Sequence, residues 1–385
     1  MRNPCRYGFP LLLALLGCSQ PDQEQDPNRN LKSATWPIFR GDSALTGIAE
    51  DRVPENPTLL WTFETGGEIV STPVIGSGRV YVSSTDGKVY ALDVAEGSQV
   101  WDFDAGDAVE ASPMLLDSVL YVGSLEGVFF ALSAETGQVL WKAELGSGVY
   151  GSANWAEVGE GAEKSILTGC YDNRLYCFGA VSGELKWTYE TENYINGAPA
   201  TDGRQAVFGG CDAILHIVDV ADGSKIGGVD VGSYIPGSAA VVDGHAYVGH
   251  YNGGMVCINL ADQKIVWNYP EADQEDAFFS SPAVGDDRVV VGSRDEQLHC
   301  IDRQTGQKVW TFRTRDKVDS SPVIAGESVF FGSDDGRLYR IDLASGRLLW
   351  SYEIGGAITG SPAVAGGGIF VGAEDGSIYA FGEAR

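Results

Sequence analysis

The stretch YVSSTDGKVYALDVAEGSQVW, residues 81–101, alternates apolar and polar side chains, turns at Asp86-Gly87 and ends on a tryptophan. Forty residues later, YVGSLEGVFFALSAETGQVLW (121–141) follows the same order. Such alternation over four to eight residues is typical of β-strands, and Asp-Gly pairs favour hairpins through the positive φ that they tolerate. The stretch therefore predicts one antiparallel β unit that the chain uses repeatedly.

Regularly spaced tryptophans indicate how many units there are. Their spacings are 40, 40, 46, 80, 43 and 40 residues, for Trp61, Trp101, Trp141, Trp187, Trp267, Trp310 and Trp350. The 80-residue interval holds one further unit, in which Gly227 takes the tryptophan position. A Ser-Pro-like triplet recurs in step, at 71–73, 111–113, 151–153, 197–199, 237–239, 280–282, 320–322 and 360–362. Four short strands per unit of about 40 residues predict an all-β, eight-bladed β-propeller with four-stranded antiparallel blades.

The two ends of the repeat array complement one another. The eighth unit stops at Phe381, before any tryptophan strand, whereas LLWTFETG (59–66) is a tryptophan strand with no unit in front of it. Pairing the two would hide a strand edge, so the N-terminal strand is predicted to close the last blade. The propeller domain is predicted to cover residues 36–385, with residues 36–47 packed across this seam.

The N-terminus has the composition of an export signal. Arg2 and Arg6 precede an apolar run over 9–16, and LLGC (15–18) resembles the lipobox of bacterial lipoproteins. The resemblance implies that residues 1–17 are a lipoprotein signal peptide and that Cys18 is lipidated; the alternative is an ordinary signal peptide in which Cys18 is incidental. Ser19 after the cysteine implies sorting to the outer membrane, facing the periplasm. Residues 18–35 include a polar, aperiodic segment and are expected to be a disordered tether.

The charge of the chain excludes some classes of partner. The formal net charge is −27, from 53 acidic and 26 basic side chains. Such a surface repels phosphate backbones and anionic lipid headgroups, so neither nucleic acid nor membrane contact beyond a lipid anchor is expected. A monomeric propeller is the expected state.

The spacings Ala91…Gly97…Trp101 and Ala131…Gly137…Trp141 resemble the tryptophan-docking repeat of the PQQ-type quinoprotein propellers. The resemblance implies that each indole stacks on the backbone at the glycine of a neighbouring blade. It also implies pyrroloquinoline quinone (PQQ) and calcium as cofactors in the dehydrogenases of the family, which carry an adjacent cysteine pair. This chain has no Cys-Cys and nearly minimal blades, so no catalytic residue, metal or cofactor is expected, with PQQ and calcium kept as the alternative.

Other chemistry-bearing residues have structural explanations in this repeat. Turn aspartates tolerate left-handed geometry and are spread around the ring, and His216 and His299 occupy equivalent strand positions. Core filling is expected for three cysteines at one repeat position: Cys177, Cys257 and Cys300. Cys170 and Cys211 lie near the ends of second strands in neighbouring units, and both a disulfide and free thiols are open for them.

The units differ most in the loops before their first strands. The residues three before the Pro or Ala that ends each triplet are Val70, Glu110, Tyr150, Asn196, Pro236, Phe279, Asp319 and Thr359. Because these loops and the turns between second and third strands emerge on one face, we expect a patch over blades three to five, made of Tyr150, Tyr171, Tyr194, Asn196, Tyr234, His250 and Tyr251. Tyrosine suits protein or glycan recognition; the alternative is that these side chains fill the funnel mouth and contact one another.

The combination of anchor, repeat and size resembles the propeller lipoproteins of the outer-membrane β-barrel assembly machinery. The resemblance implies a non-enzymatic protein-interaction scaffold at the cell envelope, with an envelope protein partner in outer-membrane β-barrel assembly. The alternative function is a small-molecule or PQQ-binding propeller, that is, a degenerate quinoprotein dehydrogenase.

Overall fold

A computed structural model describes residues 31–158, 163–270 and 276–384. These residues form eight antiparallel sheets of four meandering strands each, and the seventh sheet carries one additional short strand. The predicted all-β, eight-bladed propeller is confirmed. No helix in the described ranges is long and apolar enough to cross a membrane. The predicted signal peptide and Cys18 lie outside the described residues.

Each blade runs from an innermost to an outermost strand. The innermost strands are β3 (Val74–Gly76), β7 (Met114–Leu116), β11 (Asn154–Ala156), β15 (Ala200–Thr201), β19 (Ala240–Val242), β23 (Ala283–Val284), β27 (Val323–Ala325) and β31 (Ala363–Ala365). The second strands are β4 (Arg79–Ser83), β8 (Val119–Gly123), β12 (Ser165–Cys170), β16 (Gln205–Gly209), β20 (His245–His250), β24 (Arg288–Gly292), β28 (Ser328–Ser333) and β32 (Gly368–Gly372).

The outer half of each blade is as regular. The third strands are β5 (Lys88–Asp93), β9 (Val128–Ser133), β13 (Arg174–Gly179), β17 (Ile214–Asp219), β21 (Gly254–Asn259), β25 (Gln297–Asp302), β29 (Arg337–Asp342) and β33 (Ser377–Gly382). The outer strands are β6 (Gln99–Asp104), β10 (Val139–Glu144), β14 (Leu185–Glu190), β18 (Lys225–Asp230), β22 (Lys264–Tyr269), β26 (Lys308–Arg313), β30 (Leu348–Glu353) and, in blade eight, β2 (Thr58–Glu64).

Burial follows position within the blade. The four central residues of β5 are all buried, because neighbouring blades cover both faces of a middle strand, whereas β6 alternates between exposed and partly buried residues. The core therefore lies between blades, and its apolar side chains stabilise the ring by burial of roughly 25 cal/mol per Å². Blade closure is confirmed: β2 pairs with β33, and Trp61 lies opposite Ala380.

The tryptophans connect neighbouring blades as the repeat implied. The Trp61 indole lies on Gly97 of blade one so closely that a Cβ there would approach its Cδ2 to 2.5 Å, and its Nε1 donates to the Val94 carbonyl at 3.1 Å. Gly97 has φ +70°, which a side chain would strain. Five further pairs repeat this contact: Trp101–Gly137, Trp141–Gly183, Trp187–Gly223, Trp267–Gly306 and Trp310–Gly346.

The Ser-Pro-like triplet also has a connecting role. The backbone N–H of Thr72 donates to Ser112 Oγ of the next blade at 2.8 Å. Equivalent bonds run from Ala198 to Ser238, from Ser238 to Ser281, from Ser281 to Ser321 and from Ser321 to Ser361. The serine is therefore a hydrogen-bond acceptor at the inner edge of the blade interface, which explains why the triplet repeats in step with the tryptophan.

The segment before β2 extends much further than the predicted seam contact. Carbonyl groups between Trp36 and Gly47 accept backbone N–H groups from the innermost strands of blades one, two, four, five, six and seven, and the Ser43 carbonyl accepts the Asn154 amide of blade three. Strand β1 (Ile48–Ala49) then pairs in parallel with β27. The segment 36–49 thus closes the central channel from below.

Residues 31–35, which the prediction assigned to the tether, pack against the propeller. Leu31 and Ala34 are 6% and 4% exposed, and the Leu31 side chain lies against Gly368 of blade eight. The chain therefore enters the propeller on the side of the channel that segment 36–49 closes, which we call the bottom face.

Candidate partner-binding site

Two concentric rings of residues surround the open end of the channel, the top face. The inner ring contains the eight residues that directly precede the triplets, three before the Pro or Ala that ends each one. The outer ring contains the residues at the start of each turn between second and third strands: Thr85, Leu125, Tyr171, Cys211, Tyr251, Arg294, Asp334 and Glu374. Every outer-ring N–H donates to the carbonyl two residues before an inner-ring residue, as Tyr171 does to Gly148 at 3.0 Å. The prediction that these loops and turns share one face is confirmed.

The inner ring opens into a funnel of about 190 Å³. Phe39 of the bottom segment forms its floor, and serines of the triplets, such as Ser112 and Ser281, line its wall. Seven of the eight inner-ring residues line the mouth: Val70, Glu110, Tyr150, Asn196, Pro236, Phe279 and Thr359. The funnel is a shallow polar cup with an aromatic half.

Three predicted patch tyrosines form one stack over blades three and four. The ring centroids of Tyr150 and Tyr171 are 4.0 Å apart, and those of Tyr171 and Tyr194 are 4.9 Å apart with planes only 4° from parallel. The Tyr171 hydroxyl donates to Asn196 Oδ1 at 2.9 Å. Burial and then the neighbouring Cys211 raise the pKa of Tyr171 to about 12, so its hydroxyl remains a donor at neutral pH.

A second stack lies over blades five and six. The rings of Tyr234 and Tyr251 are 4.2 Å apart, and Tyr251 meets Phe279 edge-on at 6.0 Å. The Arg294 guanidinium lies 3.4 Å from the Phe279 ring centroid, a cation–π contact. We call the two stacks together the aromatic crescent: Tyr150, Tyr171, Tyr194, Asn196, Tyr234, Tyr251 and Phe279.

Asn196 and Cys211 lie at the junction of the two stacks. The Asn196 amide donates to the Ile235 carbonyl at 3.0 Å and lies 3.3 Å from Cys211 Sγ. Cys211 is half-buried and free, and Cys170 is buried and free, with its thiol directed to the Ser147 carbonyl. Of the alternatives left open for this pair, the structure has the free thiols.

His250 is the predicted patch residue that the structure places differently. Its imidazole covers Gly254 of its own hairpin, where a Cβ would come within 2.0 Å of Nε2. Burial lowers the pKa of His250. Its Nδ1 is buried without a hydrogen-bond partner in the described ranges. The ring therefore supports the turn that carries Tyr251.

Charged residues continue the rings over blades six and seven, and sequence reasoning missed two of them. Arg294 forms a two-pronged ion pair with Asp319, with nitrogen–oxygen distances of 2.9 and 2.8 Å. Lys317 bridges Asp319 and Asp334 at 3.6 and 3.2 Å. Arg294 and Asp334 could have been found, because they hold the same repeat position as Tyr171 and Tyr251.

The turn aspartates are structural, as predicted, although through a different geometry. The turn after β4 spans four residues, and its positive φ is at Gly87 rather than at Asp86. Asp86 instead accepts the Lys88 N–H and the Tyr90 hydroxyl. The same aspartate–ring contact recurs in the pairs Asp172–Tyr176, Asp212–His216, Asp295–His299, Asp335–Tyr339 and Asp375–Tyr379.

The two histidines of this set are part of blade-to-blade networks. His299 Nε2 is 3.0 Å from Asp295, and its Nδ1 is 2.9 Å from the Tyr269 hydroxyl of blade five. Burial favours a higher pKa for Asp295, but the hydrogen bond and charge of His299 outweigh it and lower that pKa. Cys177, Cys257 and Cys300 are buried in the interblade core, as expected.

The family of the chain follows from a comparison with known sequences. The family described as "Outer membrane protein assembly factor BamB" matches residues 53–226, 151–270 and 298–385, which together cover more than half of the chain. The chain belongs to the BamB family. A curated relative, outer membrane protein assembly factor BamB of Burkholderia pseudomallei (strain K96243), is 26% identical over 118 residues. That match covers 31% of this chain and 30% of the relative, so the chain spans under a third of the curated BamB protein's length.

Solved structures share the fold. BamB from Moraxella catarrhalis superposes with a TM-score of 0.71 at 21% identity, covering 86% of this chain and 98% of the other. Quinohemoprotein alcohol dehydrogenase from Comamonas testosteroni reaches a TM-score of 0.75 at 16% identity, covering 93% and 82%. At these identities the likeness to BamB and to the dehydrogenase concerns the fold alone.

The funnel residues do not fit pyrroloquinoline quinone, the cofactor that the quinoprotein repeat implies. The quinone is a planar tricarboxylate, whereas the charged side chain that lines the funnel is the acid Glu110 and its wall carries no basic side chain from the described residues. In the described ranges no group of three or more His, Cys, Asp or Glu side chains could hold a metal ion such as calcium. The described part of this BamB-family chain therefore offers neither a basic side chain in the funnel for the quinone carboxylates nor a ligand group for calcium.

Proposed function

We propose that this protein is a non-enzymatic scaffold at the cell envelope that binds a protein partner in outer-membrane β-barrel assembly through the aromatic crescent. The observation that carries the proposal is the crescent itself. Tyr150, Tyr194 and Tyr251 remain 37%, 47% and 39% exposed although each is held in a ring stack. Rigid, partly exposed tyrosines offer a large contact area and a hydroxyl at little entropic cost, which is typical of protein-binding surfaces.

The position of the chain entry agrees with this role. In the proposal Cys18 is lipidated and anchors the protein in the outer membrane, on its periplasmic side. Leu31 docks on the bottom face, and the crescent lies on the top face. A tether that leaves from the bottom face keeps the crescent accessible from the periplasm.

The membership of the BamB family supports the class of partner. The curated relative is named for outer-membrane protein assembly, and the proposal extends that role to this chain. The alternative of a PQQ-binding propeller has the likeness to a quinohemoprotein dehydrogenase in its favour, but it lacks a fitting funnel.

The experiment that tests the proposal is site-specific photo-cross-linking in intact cells. A photoreactive side chain at Tyr194 should capture a protein of the outer-membrane assembly apparatus, and Tyr234→Ala in the same chain should reduce the captured yield severalfold. Val181, which is 84% exposed in the turn between β13 and β14, is the matched position for a control probe and for Val181→Ala. Equal capture from positions 194 and 181 would contradict the proposal.

A further inference from the structure

Glu110 is an acid at the funnel mouth without a compensating cation. It is half-buried, lines the funnel, and has no hydrogen-bond or ion-pair partner among the described residues. Its charged neighbour is a second acid, Glu68, and burial followed by that neighbour raises the pKa of Glu110. An ionised carboxylate that is partly removed from water and left unpaired is unfavourable, and acids with such perturbed pKa values in clefts cluster at functional sites.

The other acids of the two rings each have a hydrogen-bond or ion-pair partner within the protein. Asp319 has Arg294 and Lys317, and Asp334 has Lys317. Glu374 accepts the Thr359 hydroxyl at 3.0 Å. The unpaired state of Glu110 is therefore a local property of blade two and not a general consequence of the acidic surface.

The surroundings of Glu110 favour a cation of a particular kind. Tyr150, the next residue of the inner ring, is 37% exposed, and its π-face can contact a cation that also reaches the carboxylate. Arg40, the residue after the floor residue Phe39, is fully buried and donates to the carbonyls of Pro282 and Pro322. Those carbonyls belong to blades six and seven, on the side of the ring opposite to Glu110.

We propose that the funnel receives one basic side chain, lysine or arginine, from an exposed loop of the protein partner, with Glu110 as its counter-charge. This inference rests on the proposed function, since it specifies the chemistry of the partner at the crescent. A cup of about 190 Å³ admits a single long side chain and excludes a folded element. The net charge of −27 favours the approach of a cationic loop, and the carboxylate then fixes its register.

A defined small probe tests the funnel directly. N-acetyl-arginine amide is titrated into the purified protein and followed by NMR of the tyrosine rings, with the neutral citrulline analogue as the matched ligand. Wild type and Glu126→Gln, which alters an exposed acid of the same blade, should bind the arginine probe with equal affinity. Glu110→Gln should bind it at least fivefold more weakly. Equal binding of the citrulline analogue, or equal affinity in Glu110→Gln, would overturn the inference.

Capture in cells separates this inference from the proposed function. With the photoreactive side chain at Tyr194, Glu110→Gln should reduce the yield of the partner, and the cross-linked peptide should contain a lysine or arginine next to its attachment site. Unchanged capture in Glu110→Gln would overturn the inference and leave the scaffold function standing. Absence of capture in the wild type would overturn the scaffold function, and the NMR titration would still decide whether the funnel binds a cation.

Discussion

The side-chain amide of Gln263 lies on Gly227, at the interface of blades four and five. A Cβ on Gly227 would come within 2.2 Å of Gln263 Oε1, and the Gln263 Nε2 is 3.4 Å from the Ile226 carbonyl. Gln263 holds the repeat position of the docking glycines and has φ +57°. At this interface Gly227 thus stands in the tryptophan position, and Gln263 stands in the position of the docking glycine. The contact is made by a side chain of blade five on the backbone of blade four, whereas at the Trp–Gly interfaces the indole of the earlier blade lies on the later one.

This coupled exchange predicts strong non-additivity. Gly227→Trp alone should destabilise the protein by about 1–3 kcal/mol, because the indole would overlap the Gln263 amide. Gln263→Gly alone loses that contact but relieves the left-handed backbone, so its effect should stay within about 1 kcal/mol. The double variant reproduces the Trp–Gly pair that six other interfaces have and should be close to wild type in urea unfolding. Additive losses would contradict the exchange.

Ring closure depends on Trp61, which lies on the N-terminal strand β2 that pairs with the C-terminal strand β33 and contacts blade one. Trp61→Ala should lower the free energy of unfolding by about 3–5 kcal/mol, because it removes a buried indole and its bond to Val94. Trp350→Ala is the matched control, since Trp350 is partly exposed and packs against Phe381 rather than on a docking glycine. Thermal unfolding of the two variants measures the difference, and a larger loss for Trp350→Ala would be inconsistent with this account of closure.

The Tyr269–His299 contact should be replaceable by a phenylalanine–tyrosine pair, which takes its place at the interface of Phe63 and Tyr90. Phe63 meets Tyr90 edge-on at 5.6 Å, where Tyr269 meets His299 at 5.7 Å. His299→Tyr alone would crowd the Tyr269 hydroxyl and leave it without its acceptor, costing about 1–3 kcal/mol. Adding Tyr269→Phe should restore most of that stability in a double-mutant cycle. A double variant no better than His299→Tyr would show that the histidine has a further role.

The unpaired state of Glu110 predicts that Glu110→Gln stabilises the protein in a pH-dependent way. Burial and Glu68 raise the pKa of this acid in the folded state, so its ionised form is penalised at neutral pH and the penalty disappears as the pH falls through the raised pKa. Glu110→Gln should therefore have a higher melting temperature than wild type at pH 7, and the difference should shrink toward pH 4. Glu126→Gln should show no such change with pH. A melting-temperature difference that grows on acidification would contradict this prediction.

The cofactor alternative predicts a ligand-dependent melting temperature. A ligand that binds the folded state raises its stability by RT ln(1 + [L]/Kd), about 2.7 kcal/mol at a hundredfold excess over Kd. Because the funnel lining does not fit the quinone, we expect no shift on addition of PQQ and calcium, separately or together. A saturable upward shift would restore the quinoprotein alternative.

Much of the fold could be predicted from the sequence because the repeat is local. The strand order, the eight blades and the Trp–Gly contacts follow from a repeat of about 40 residues, the closing strand follows from the incomplete units at its two ends, and each is confirmed. The path of residues 36–49 could not be predicted, because its hydrogen bonds connect a short irregular segment to seven distant blades. Order in 31–35 was missed for the same reason, since Leu31 gains its burial from blade eight.

The candidate site was predictable in position and only partly in composition. Repeat arithmetic placed the inner ring and four tyrosines on one face, and the same arithmetic would have found Arg294 and Asp334. It could not show that His250 covers its own hairpin or that Tyr171 pairs with Asn196, because both depend on side-chain orientation.

The sequence by itself determined the architecture, because a periodic pattern of apolar strands, turn glycines and docking tryptophans allows one closed arrangement of blades. Only the tertiary structure decided which departures from that pattern have a partner. Gln263 compensates Gly227, and Arg294 compensates Asp319, whereas the charged neighbour of Glu110 is another acid, Glu68 of the adjacent blade. The physical reason is that charge and packing are balanced between neighbouring blades, 40 residues apart in the chain and in contact in space.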